Sequence, residues 1–153
     1  MKHGLIGEKL SHSYSPMIHR AIFNLSGIEG EYNLIELKKD ELQFFLNNAI
    51  KENYKGLNVT IPYKTAVIPF LDEISKEAKK IGAVNTISLK DGLKGYNTDY
   101  FGIEYTFIKN NIQVKGKNVL IAGSGGASKS VIAYLTDENV NKIFVASRNP
   151  QQI

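Results

Sequence analysis

Apolar and polar residues follow one another along this chain in two rhythms. Alternation with period two marks half-buried strands, and spacing of three and four marks one face of a helix. The stretch "GLNVTIPYK" (56–64) shows the first: Leu57, Val59 and Ile61 alternate with Asn58 and Thr60. It predicts a strand with one packed and one free face, ended by a proline and followed by Lys64. Further strands are predicted over 2–6, 32–37, 83–89 and 93–97, the last two joined by the hairpin dipeptide Asp91-Gly92. "NVLIA" (118–122) and "KIFVA" (142–146) are almost wholly apolar and predict buried strands.

The second rhythm predicts helices. Ile18, Ile22 and Leu25 share a face over 16–26, with Ser15 as N-cap, Pro16 at the first helical position and Gly27 as the stop. An amphipathic helix is predicted over 39–53 with Asp40 as its cap. Helical segments follow over 63–80 (interrupted near Pro69), 99–110 and 127–138. Strands and helices that alternate imply an open α/β architecture. The boundary falls after residue 100: an α/β unit over 1–100, a connecting helix and linker over 101–116, and a β-α-β unit over 117–153.

Composition changes this picture little. Hydrophobic residues make up 42% and charged residues 22% of the chain, an ordinary globular composition. No apolar run approaches the roughly 20 residues of a membrane helix, and no membrane partner is expected. A chain without cysteine has no disulfide, thiolate metal site or cysteine nucleophile, and a cytoplasmic location is the default expectation. The net charge of +4 comes from lysines scattered among acids. There is no basic stripe or recognition helix, so no nucleic-acid partner is expected.

Candidate chemistry sits in two places. "VLIAGSGGASKSV" puts Gly123, Ser124, Gly125, Gly126 and Ala127 between a strand and a helix. In that context, a glycine turn lets backbone approach a pyrophosphate whose charge meets the helix N-terminus. The following strand ends in "ASRN" without the carboxylate that usually holds the ribose of NAD. Arg148 is suited to a 2′-phosphate, which favours NADP. The second place is a scatter of polar residues at strand ends: Ser13, Ser15, Asn58, Thr60, Lys64, Asn85 and Asp99. Lys64 lies in the first turn of a predicted helix, against the positive end of its dipole. Asp99 is either an ordinary helix cap or part of the same constellation. In open α/β sheets ligands bind beyond the carboxyl ends of the strands, and this set suits a small polyhydroxylated acid.

Five ordered motifs, "HSYSP" (12–16), "NVTIPYK" (58–64), "GAVNT" (82–86), "NTD" (97–99) and "GSGGAS" (123–128), resemble shikimate dehydrogenase. The resemblance implies an open α/β substrate-binding domain followed by the first β-α-β of a Rossmann-type NADP-binding domain. It implies NADPH-dependent reduction of 3-dehydroshikimate to shikimate, in the chorismate route to aromatic amino acids. Lys64 and Asp99 would be the catalytic pair, and Ser13, Ser15, Asn58, Thr60, Asn85 and Asp99 would hold the substrate. Gly123, Ser124, Gly125, Gly126, Ala127, Ser147, Arg148 and Asn149 would line the cofactor, with no metal. Departures from the family pattern are Glu8-Lys9, Ser130, Ser147 and Asn149. Only two strands of a sheet of about six are supplied, so the resemblance reads the chain as truncated after the start of the cofactor domain, and the two strands are expected to expose apolar edges and faces. A non-catalytic shikimate-binding module and a quinate/shikimate dehydrogenase are the alternatives.

Overall fold

A computed structural model of the chain describes residues 1–148. They fall into two compact units, Met1–Ser75 with Ala83–Tyr96, and Lys76–Gly82 with the chain from Asn97 onward. The site residue Asn149 predicted above lies outside the described residues.

The first unit is a six-stranded mixed sheet. Its strands are β1 (Lys2–Gly7), β2 (Glu31–Glu36), β3 (Tyr54–Val59), β4 (Glu73–Ile74), β5 (Thr86–Ser88) and β6 (Lys94–Tyr96), in the spatial order β2-β1-β3-β5-β6-β4. β1 runs parallel to β2 and β3, whereas β5 is antiparallel to β3 and β6. Period-two alternation places Leu57 and Val59 in the core and leaves Asn58 half-buried on the other face. Helix α1 (Ser15–Ser26) links β1 to β2, and α2 (Leu42–Ala49) links β2 to β3. Leu42, Leu46 and Ala49 recur at i, i+4 and i+7 along α2 and are buried. This helix begins later than the sequence predicts. Asp40 does not cap it; the Glu41 carboxylate instead accepts the Lys38 backbone N–H at 2.7 Å.

The segment after β3 is more broken than its apolar spacing predicts. A single helical turn, α3 (Tyr63–Ala66), is followed by a 3₁₀ turn at Ile68–Phe70 and then by β4. Pro69 has no N–H to extend a helix. Asp72 then ties the chain to the far end of the hairpin: its N–H reaches the Leu93 carbonyl at 2.9 Å, and its carboxylate accepts the Leu93 N–H at 2.7 Å. The hairpin itself forms at Asp91-Gly92, with Gly92 at φ +95°.

The second unit comprises α4 (Lys76–Ile81), α5 (Asp99–Lys109), β7 (Asn118–Ala122), α6 (Gly126–Asp137) and β8 (Lys142–Ala146). β7 and β8 pair in parallel. Val114, Tyr134 and Leu135 form a core with Phe107, Ile121 and Ile143 packed against it. Only one face of the pair is covered among the described residues, so alternate side chains emerge where the sequence predicts fully buried strands: Leu120 is 69% and Phe144 52% exposed. Asp137 gathers three helices, accepting from Tyr100 at 2.8 Å and pairing with Lys80, which also reaches the Ala133 carbonyl at 3.2 Å. Ser130 is fully buried and its hydroxyl has no hydrogen-bond partner. No helix among the described residues is long and apolar enough to cross a membrane.

Candidate functional site

In the first unit, the chain leaves β1 toward β2 on one side, while β3 flanks β1 on the other. This divergence is the switch point at which open α/β sheets bind ligands, beyond the carboxyl ends of the two central strands. The segment after β1 carries Ser13 and Ser15, and the segment after β3 carries Thr60 and Lys64.

Ser13 Oγ accepts the Ser15 backbone N–H at 3.2 Å, a local turn of the kind serine favours before a helix. The sequence predicts Ser15 as the cap of α1, but the helix has no side-chain cap bond and starts at Ser15 itself. The Ser15 hydroxyl is instead a hydrogen-bond partner of the Tyr32 phenol, and partly offsets the upward pKa shift that burial imposes on it.

Registers of β1 with its neighbours put His3, Leu5, Tyr32, Leu34 and Asn58 on one sheet face, and Thr86 stands opposite Asn58. A directed run of hydrogen bonds crosses this face. Tyr32 Oη donates to Asn58 Oδ1 at 2.7 Å, Asn58 Nδ2 donates to Thr86 Oγ1 at 3.4 Å, and Thr86 Oγ1 donates to Asn85 Oδ1 at 3.1 Å. His19 from α1 stacks on the Tyr32 ring, with centroids 3.9 Å apart and planes 12° apart. Asn85 is held from both sides through its backbone, its N–H on the Tyr96 carbonyl and its own carbonyl on the Val59 N–H. Tyr32 and Thr86 were not among the residues that sequence reasoning selects. The pairing of Thr86 with Asn58 depends on strand register, and Tyr32 reads as one more aromatic in a short strand.

Thr60 follows β3, with its N–H on the Ile6 carbonyl at 3.0 Å. Gly7 allows that approach: a Cβ there would come within 2.8 Å of the Thr60 methyl carbon and 2.6 Å of Leu10. Lys64, half-buried in α3, accepts the Val84 N–H on its carbonyl at 2.7 Å, which fastens α3 beside the segment carrying Asn85. Asp99 belongs to the second unit and is the first residue of α5 rather than its cap. Asn97, only 1% exposed, accepts the Asp99 N–H on its side-chain oxygen at 3.1 Å.

The glycine turn also lies in the second unit. Gly123 adopts φ +115°, a conformation L side chains rarely take, and its N–H reaches the Ala146 carbonyl at 2.8 Å. Among the described residues, and apart from adjoining backbone, no atom lies within 4 Å of where a Cβ would stand at Gly125 or Gly126, at the start of the twelve-residue α6. Ser124 and Ser147 share a 2.8 Å hydroxyl–hydroxyl bond that joins the turn to the end of β8; Ala127 and Arg148 are exposed. Backbone that side chains leave uncovered at a helix N-terminus fits a pyrophosphate group.

Fold and site together define an α/β protein whose mixed sheet presents a polar floor at its switch point and is followed by a glycine-turn β-α-β unit. Residues 5–87 match the model of the shikimate dehydrogenase substrate binding domain. The chain belongs to the shikimate dehydrogenase family. It is 50% identical over 147 residues to a shikimate dehydrogenase (NADP(+)) of Clostridium beijerinckii, covering 95% of this chain and 54% of that protein. Among solved structures, a chorismate mutase/shikimate 5-dehydrogenase fusion protein from Clostridium acetobutylicum superposes with TM-score 0.93 at 45% identity, over 99% of this chain and 56% of that one. Shikimate 5-dehydrogenase from Thermus thermophilus, in complex with NADP(H) and shikimate, gives TM-score 0.87 at 31% identity, over 99% and 57%. The chain thus spans about half the length of the relatives it matches.

Proposed function

We propose that this chain carries the substrate side of a shikimate dehydrogenase, which reversibly reduces 3-dehydroshikimate to shikimate in aromatic amino acid biosynthesis. The observation that carries the reading is the hydrogen-bonded polar floor through Asn58, Thr86 and Asn85, beside the serine turn after β1. Such a surface offers hydroxyls and amides to a ligand rich in oxygen. Ser13, Ser15, Asn58, Thr60, Asn85 and Asp99 hold the carboxylate and hydroxyls of the substrate. Lys64 passes a proton to the carbonyl oxygen during reduction and takes it back in the reverse direction, with Asp99 as its catalytic partner. NADPH supplies the hydride when bound. Gly123, Ser124, Gly125, Gly126 and Ala127 cradle its pyrophosphate, and Ser147, Arg148 and Asn149 receive the adenine side. The NADP(+) in the name of the Clostridium beijerinckii relative supports that choice of cofactor.

The purified chain is titrated with shikimate while its melting temperature is followed, then mixed with 3-dehydroshikimate and NADPH while cofactor absorbance is followed. A saturable rise in melting temperature is expected with shikimate. A fall in absorbance in addition marks a chain that turns over by itself. A thermal shift with flat absorbance marks a binding module, and the absence of both signals overturns the reading.

A further inference from the structure

We infer that Tyr32 and Thr86 are positioning residues that fix the polarity of the Asn58 amide, so that Asn58 meets its ligand as a donor and reads an oxygen acceptor there. The inference rests on the function proposed above and concerns two residues which that proposal leaves without a role.

The argument is one of counting protons. A hydroxyl has a single hydrogen to donate, whereas an asparagine amide has two N–H bonds at one end and only acceptor capacity at the other. Thr86 commits its hydrogen to Asn85 Oδ1 at 3.1 Å, so toward Asn58 it can only accept. Asn58 must therefore turn its nitrogen to Thr86, as it does at 3.4 Å. At the other end, Tyr32 donates its hydrogen to Asn58 Oδ1 at 2.7 Å, which agrees with the same orientation. Turning the amide over would set its oxygen against Thr86, pulling the threonine proton away from Asn85, and its nitrogen against the Tyr32 hydroxyl. Thr86 thus selects one rotamer and Tyr32 reinforces it as a donor, since bonds aligned in one direction polarise one another. The stack of His19 on Tyr32 braces the phenol ring, and burial raises the phenol pKa and so favours its protonated form. One of the two Asn58 N–H bonds is used on Thr86, and the other remains to meet a hydroxyl or carboxylate oxygen.

The test has a ligand-free arm and a ligand arm. In the free chain, nuclear magnetic resonance of the Asn58 side-chain amide should report a rigid group, with an order parameter near that of ordered backbone (about 0.85). Tyr32→Phe and Thr86→Val should each loosen it to below about 0.6, while Thr86→Ser should leave it rigid. In the ligand arm, Tyr32→Phe should weaken shikimate binding about three- to tenfold, the cost of a misdirected hydrogen bond. Asn58→Ala should weaken it further, and adding Tyr32→Phe to Asn58→Ala should cost nothing more, because Tyr32 acts through that amide. An amide that stays rigid in Tyr32→Phe, or losses that simply add, would overturn the inference. If the unmodified chain binds no shikimate, the functional reading fails alone, and the amide measurement still decides the role of Tyr32. Should Thr86→Val fail to fold, Tyr32→Phe carries the same comparison.

Discussion

Burial lowers the pKa values of His3 and His19, and that of His3 is lowered further by His19 and by the N-terminal ammonium. His3 Nδ1 is also buried without a hydrogen-bond partner. A histidine with a depressed folded pKa contributes stability that is present above its unfolded value, about 6.5, and is lost as pH falls toward the folded pKa. The melting temperature should accordingly fall as pH drops below about 6.5. His19→Phe, which keeps an aromatic ring against Tyr32, should flatten that slope when melting is followed across the same range. An unchanged slope would remove His19 from the effect. At this scale the sequence was partly legible. Asn58 could be placed on the free face of β3 because strand side chains alternate. The alternation was carried too far, however: β3 ends at Val59, Thr60 follows it, and Ile61 is 74% exposed where the pattern predicts packing. The cap of α1 was misassigned to Ser15, because serine suits the position by type and only the turn geometry shows that the helix starts at Ser15 and that Ser13 accepts its N–H. The fully buried hydroxyl of Ser130 could not be foreseen either, as nothing local marks which helix face meets a core.

Elements were legible in proportion to the length of their pattern. β1, β3, α1 and α6 lie where periodicity predicts them, within a residue or two at most ends. In the stretch from Tyr63 to Ile81 the helical ends, α3 and α4, and the break near Pro69 were legible, but the middle was not, because a 3₁₀ turn and a two-residue strand are each too short to display a period. What organises that stretch is non-local: β4 exists because it pairs with β6, and the neighbouring Gly95 admits the approach. A Cβ at Gly95 would stand 2.5 Å from the Leu71 side chain and 2.9 Å from that of Val84, which is fully buried. Gly95→Ala should therefore destabilise the first unit by about 1–3 kcal/mol, the cost of overpacking a filled site. Chemical denaturation would show it as a lower midpoint with an unchanged slope. A midpoint within error of the unmodified chain would mean that Leu71 and Val84 give way freely.

Over the whole molecule, alternating strands and helices were sufficient to give the α/β class. They did not give the order of strands in the first sheet or its mixed directions, which follow from pairings between distant segments. In the second unit the apolar runs alone predict buried strands, and it is the count of two strands against about six that points to the apolar face left uncovered among the described residues. Leu120 and Phe144 emerge there from adjacent strands, in register across the pair. Paired exposed apolar side chains favour a hydrophobic dye or a second surface over water. The chain should bind 8-anilinonaphthalene sulfonate under native conditions, and Leu120→Ser with Phe144→Ser should reduce that fluorescence without loss of helical circular dichroism. Equal fluorescence in the double variant would locate the dye elsewhere. A different consequence follows from the position of β1 between β2 and β3. Any molecule gripping both the segment that leaves β1 and the segment that leaves β3 works as a clasp on chain regions far apart in sequence. Heat tolerance of the first unit then becomes a readout of how much of that molecule is in solution, climbing with the logarithm of its concentration.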